Sequence, residues 1–169
     1  MIFRLSQKLA KKLKITALET LPPNSDPFAD WSANLFTVDR AQYVILTNTA
    51  SLYSVVMFGR GITNQVRFSD GARDSIREHL IADGREFAYS KFIAPTSDTI
   101  QFASALNRSV TGSMNDLVHN AKWSIGHHAM SPLDAGVQLN EMPMSALGYR
   151  NPRAVLTTLC AQRGVAFES

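Results

Sequence analysis

The densest run of β-branched and aromatic residues lies between Trp31 and Gly59, WSANLFTVDRAQYVILTNTASLYSVVMFG. Inside it, apolar-rich stretches from Ser32 to Val38 and from Gln42 to Thr47 flank Asp39-Arg40-Ala41. That spacing predicts a β-hairpin with a loop of three residues or slightly more. Tyr43-Val44-Ile45-Leu46 is continuously apolar, which predicts a strand buried on both faces and a layer of helices over at least one. Leu52 to Phe58 reads as a further strand, closed by Gly59 and Gly61. Asn48 interrupts the pattern, and Thr49, Ser51 and Ser54 read as turn formers between the two strands.

Outside this segment the period changes. Met1 to Leu5 predicts a short strand, and Ser6 caps a helix from Gln7 to about Lys14 with Leu9 and Leu13 on one face. Leu21 to Pro27 holds three prolines and reads as a loop. Phe68, Ala72, Ile76 and Leu80 recur at helical spacing. Their helix is capped by Asp70 or begins earlier, near Thr63, and Gly84 ends it as the glycine after the cap. His79 on this helix reads as an exposed or edge histidine. Glu86 to Ile93 fits either a strand or a helix end, and Thr99 to Ala103 fits a strand. Val110, Met114, Leu117, Val118, Ala121 and Ile125 mark a helical face; Gly112 delays its start to near Ser113, and Gly126 stops it. Ser131-Pro132 and Asn151-Pro152 are helix starts, a cap followed by proline at the first helical position. Cys160, on the inner face of the last helix, reads as a core residue. The sum is an α+β fold, a mostly antiparallel sheet packed against several helices, in one domain spanning 1–169.

Composition narrows the class. With 169 residues, 45% hydrophobic and 18% charged, the chain has enough apolar surface for its own core, without a metal or disulfide. No apolar run approaches the roughly 20 residues that span a bilayer. The N-terminus runs from apolar to basic, the reverse of a secretory signal, so a cytoplasmic location is expected. The net charge of +3 permits contact with nucleic acid without demanding it. The basic residues do cluster at one point: Lys8, Lys11 and Lys12, with Lys14, occupy the polar faces of the first helix. No acid appears before Glu19. They form either a solvated face or a patch for phosphates or an acidic partner.

Reactive chemistry is sparse. The sequence has no Walker loop, no GxGxxG turn and no GxSxG elbow. His119, His127 and His128 have no carboxylate or cysteine at zinc-ligand spacing, so neither a metal nor another cofactor is expected. The polar residues singled out as a candidate site are Asn48, Arg108, Ser109, Asn115, Asp116, Asn140 and Tyr149, together with Lys8, Lys11 and Lys12. Arg108 and Ser109 precede a helix start, where amides and a guanidinium hold anions. Two functions follow. The first is a non-catalytic interaction domain that binds protein or nucleic acid through the basic helix or the Arg108 region. The second is a small enzyme acting on a phosphate-bearing substrate through a loop-assembled polar site. An enzyme calls for a closed pocket where Arg108 meets a carboxylate and a histidine; a binding domain calls for a broad basic or apolar patch.

The segments MIFRLSQKLAKKL, DWSANLFTVDRAQYVILTNTASLYSVVM and NRSVTGSMNDLVHNAKW, leading into LNEMPMSALGYRNPRAVL, together resemble a family of bacterial single-domain proteins catalogued as a domain of unknown function. The likeness spans nearly the whole chain and implies a complete bacterial domain; it carries no catalytic residues. A shorter run, Leu139-Asn140, Pro143, Leu147-Gly148-Tyr149 and Pro152, is similar to the tail of some insertion-element transposases. Its physical content is a helix stopped at a proline and a second helix started at one.

Overall fold

A computed structural model describes residues 1–106 and 108–164. Five strands form one sheet in the order β4-β3-β2-β1-β5: β1 (Ile2–Leu5), β2 (Asp30–Val38), β3 (Ala41–Asn48), β4 (Ser54–Phe58) and β5 (Gln101–Ser104). The long ladders β2–β3 and β3–β4 are antiparallel. The short strand β1, between β2 and β5, runs parallel to both. The fold is therefore α+β as expected, and the sheet is mixed, with its long ladders antiparallel. The parallel pairing follows from the connections. The first helix and the proline loop separate β1 from β2, which leaves room for a crossover that a hairpin does not need.

Alternation along the strands sends side chains to two cores. One face carries Phe3, Leu5, Trp31, Ala33, Val44, Leu46, Val55 and Met57. Over it lie α1 (Gln7–Lys12), α2 (Gln65–Ala82) and α6 (Pro152–Gln162), which contribute Leu9, Phe68, Ala72, Ile76, Leu80, Leu156 and Cys160. The other face carries Phe36, Tyr43, Ile45 and Val56, covered by α4 (Arg108–His128) and α5 (Pro132–Leu139) through Met114, Leu117, Ala121, Ala135 and Leu139. Val44, Ile45 and Leu46 are wholly buried, as the apolar run requires, and helices cover both faces. Cys160 is buried, and desolvation raises its thiol to about 11.

Four local expectations change. The β2–β3 loop is two residues, not three, because Ala41 pairs with Val38. Asp39 and Arg40 both take left-handed φ, at 47° and 68°, the type I′ geometry whose twist matches the strands. Of the two starts expected for α2, the earlier one near Thr63 holds and Asp70 does not: the cap is Asn64, whose side chain accepts from the Arg67 amide. Gly84 takes the expected left-handed conformation one residue beyond the cap. Helix α4 begins at Arg108, passes through Gly112 and continues past Gly126 to His128, since its buried stripe outweighs about 1 kcal/mol of glycine propensity. Residues 86–98 are helical throughout. A turn at Glu86–Ala88 passes into a π turn at Tyr89–Ile93 and a 3-10 turn at Ala94–Asp98.

His79 is the fourth change. It is fully buried, not exposed, because it sits three residues after Ile76 on the inner stripe of α2. Its Nδ1 bonds the Ser75 carbonyl at 2.8 Å, and its Nε2 accepts from the Val56 amide at 3.3 Å. That pattern is a neutral ring. A Cβ on Gly136 would fall 2.3 Å from Nε2, so α5 can cross here only at a glycine. Desolvation lowers the His79 pKa against the smaller opposing pulls of the Ser75 carbonyl, Glu78, Asp83 and the Pro132 carbonyl. Below the unfolded value, near 6.5, the unfolded chain binds the proton more readily, so stability is lost as pH falls. Thermal unfolding should show Tm rising from pH 5 to pH 7.5. A His79→Gln variant should flatten that rise, and an unchanged profile would refute the neutral buried ring.

A basic cleft between two helices

The candidate site forms where β1 ends before β2 does. β1 pairs with β2 only as far as Leu5 opposite Ala33. At Ser6 the chain turns into α1: the Ser6 amide bonds the Ala33 carbonyl at 3.0 Å, and the Ser6 hydroxyl caps the helix at the Leu9 amide. From Asn34 onward β2 has no paired strand on that side among the described residues. Helices α1 and α4 both pack on β2, and the space between them is a cleft of about 720 Å³.

The charge of this cleft has one sign. Lys8, Lys11 and Lys12 line it from α1 and Lys122 from α4; its other lining residues are Asn34, Leu35, Phe36, Thr37, Gln42, Asn115 and Val118. No acidic side chain is among them. Lys12 donates to Gln42 Oε1 at 2.5 Å. Among the described residues Lys8, Lys11 and Lys122 form no ion pair. Low-dielectric walls around like charges focus the potential and attract anions.

Asn34 and Asn115 also line a recess of about 260 Å³, together with Arg4, Ser6, Ser32, Ala105, Val110, Thr111 and Met114. Arg4, in that lining, belongs to a buried ion pair. Arg4 donates from Nε and Nη2 to the two Asp30 oxygens at 2.8 Å each, and from Nη1 and Nη2 to the Leu21 and Pro22 carbonyls at 2.9 and 2.8 Å. Asp30 also accepts from the Asn24 amide and the Thr49 hydroxyl at 3.0 Å each. Burial works to raise the Asp30 pKa, but those bonds and the Arg4 charge prevail and hold it below the ordinary carboxylate value. One pair thus fixes the proline-rich loop to the sheet and holds Arg4 in the lining of the recess.

The structure sorts the sequence-derived candidates. Lys8, Lys11, Lys12 and Asn115 line the cleft. Arg108 is exposed and stands seven residues before Asn115, which in turn precedes Lys122 by seven. At about 3.6 residues per turn the three share one stripe of α4. Ser109 and Asp116 lie off that stripe and are exposed. Asn48 is absorbed by structure. Its Nδ2 donates to the Pro27 and Asp30 carbonyls, and its Oδ1 accepts from the Ser51 amide and hydroxyl. Asn140, wholly buried, accepts from the Ser54 amide at 2.7 Å and donates to the Ser54 carbonyl at 2.8 Å. Tyr149, 77% exposed, sits in a left-handed turn after Gly148, where neither the cleft nor the recess reaches it. Lys122, Asn34 and Ser32 complete the site and were not singled out from sequence. The signal for the last two was there, since Asp30, Ser32 and Asn34 make a polar alternation inside an apolar strand.

A second polar cluster is structural. Tyr53 donates to Asp83 at 2.6 Å, and Arg153 bridges Asp83 and Glu141 at 2.7 and 2.8 Å, tying α6 to the end of α2. Among the described residues no group of three or more His, Cys, Asp or Glu converges in a metal-binding arrangement, and no helix is long and apolar enough to cross a membrane.

Residues 2–155 match a family described as a domain of unknown function (DUF6933). The chain belongs to that family. The match runs from β1 through the first turn of α6, so the cleft of this DUF6933 domain, from Arg4 to Lys122, lies wholly inside it. No curated protein matches the chain.

Proposed function

We propose that this chain is a non-catalytic interaction domain that holds an anionic partner in the cleft between α1 and α4. The observation that carries the reading is the set of four lysines, supplied by two helices from opposite walls, with no acid among the described lining residues. A merely solvated lysine face needs only one helix. The enzyme alternative draws less support, because among the described residues no histidine and no carboxylate lines either the cleft or its recess.

The test is a fluorescence-anisotropy titration with labelled polyglutamate as a generic anion, comparing the native chain with a Lys8→Gln/Lys11→Gln/Lys122→Gln variant. These side chains are exposed, so Tm should stay close to native. Affinity should fall by about tenfold or more, with a shallower salt dependence, since three screened charges are removed. Equal binding by the two proteins would refute the proposal.

A further inference from the structure

The cleft has a floor as well as walls, and the floor is an open strand edge. Backbone direction alternates along β2. The Ala33 carbonyl faces β1, because it accepts from Ser6, and the Asp30 carbonyl faces β3, because it accepts from Thr49. By that alternation the N–H and C=O of Leu35 and Thr37 face the side that β1 leaves vacant. The Ser6 carbonyl, next in line to receive the Leu35 amide, is taken by the Ala10 amide at 2.9 Å inside α1. No hydrogen bond among the described residues reaches these two amides and two carbonyls from that side. Leu35 and Thr37 line the cleft, half-buried and exposed respectively.

Resting on the reading of the cleft as an anion-binding groove, we propose that its partner is an acidic peptide segment in extended conformation. It pairs with β2 at Leu35 and Thr37 and continues the line of β1 as an added strand. The backbone supplies two donors and two acceptors at strand spacing, which is what strand addition uses for affinity. Peptide side chains alternate between the α1 wall, with Lys8 and Lys11, and the α4 wall, with Asn115 and Lys122. Glutamates or aspartates there meet Lys8, Lys11 and Lys122, which form no ion pair among the described residues. Edge strands invite pairing with further copies of the same chain, and lysines are a common deterrent. Here the lysines repel a second copy of a chain of net charge +3 while admitting an acidic strand. A nucleic acid fits the same charges less well. Among the described residues the one aromatic side chain in the lining, Phe36, is buried, which leaves bases no stacking platform.

The experiment uses the full chain and three labelled probes of equal charge: an alternating Glu-Val heptapeptide, the same peptide N-methylated at alternate amides, and an oligodeoxythymidylate. The plain peptide should bind tightest. N-methylation keeps the charge but blocks one hydrogen-bonding edge of the strand, and should weaken binding about tenfold or more, the equivalent of one or two hydrogen bonds. In hydrogen exchange with the plain peptide bound, the Leu35 and Thr37 amides should slow about tenfold or more. If the N-methylated peptide or the oligonucleotide binds as well as the plain peptide, and those amides stay unprotected, strand addition is overturned while the basic cleft stands. If no probe binds, or all bind the triple-lysine variant equally, the cleft reading falls with it.

Discussion

Asp30→Ala should cost the fold about 3–5 kcal/mol, the usual consequence of stranding one member of a buried ion pair. The side chains of Arg4 and Asp30 are 1% and 5% exposed. Removal of the carboxylate leaves a guanidinium with two carbonyl partners and no counter-charge, and also frees the Asn24 amide and the Thr49 hydroxyl. In urea unfolding the midpoint should drop sharply with little change in slope. The double variant Arg4→Met/Asp30→Leu should regain part of the loss, because no charge is then buried alone. The pH dependence has a definite sign. Asp30 titrates below its ordinary value in the fold, so its contribution is complete above the unfolded pKa of about 3.9 and disappears as pH falls through the folded one. Asp30→Asn should therefore lose more stability at pH 7 than at pH 3. A penalty under about 1 kcal/mol for Asp30→Ala, or one equal at both pH values, would contradict the role assigned to the pair.

That pair also marks where sequence reasoning ends. The hairpin strands, the buried run Tyr43–Leu46, the Ser6 cap and the two proline-started helices were legible because each depends on neighbours in sequence. Arg4 within an apolar strand was visible, but its partner lies 26 positions away, and only the parallel placement of β1 beside β2 joins them. The cleft was half legible for the same reason. The lysine face of α1 follows from helical spacing; the opposing wall depends on where α4 packs across the sheet. The burial of His79 was within reach, since positions 72, 76 and 79 share a helical stripe, but a titratable ring is a poor prior for a core position. The two-residue turn at Asp39-Arg40 lacked the asparagine or glycine that normally announces left-handed geometry. Asn48 and Asn140 illustrate the converse error. A polar residue among apolar ones reads equally well as a ligand contact or as an internal strut, and only its hydrogen-bond partners separate the two.

Asn140 separates them by a large effect. Asn140→Ala should lower unfolding free energy by roughly 2–5 kcal/mol, because the Ser54 amide and carbonyl, at the start of β4, both lose a buried partner, at about 1–3 kcal/mol each. It should leave polyglutamate affinity per folded molecule unchanged, since Asn140 lines neither the cleft nor its recess. Asn140→Asp sharpens the test. The carboxylate can still accept from the Ser54 amide but meets the Ser54 carbonyl with no hydrogen to donate. It regains that bond only when protonated, so its folded pKa is raised and the folded state binds the proton more tightly. Its stability should then increase as pH is lowered through that raised value toward the unfolded one near 3.9. That trend is opposite to the one the native chain shows through Asp30 and His79. Urea titrations of the three proteins at pH 7 and pH 4.5 read both effects. A variant with native stability and lost anion binding would move Asn140 from the core of the fold to its binding surface.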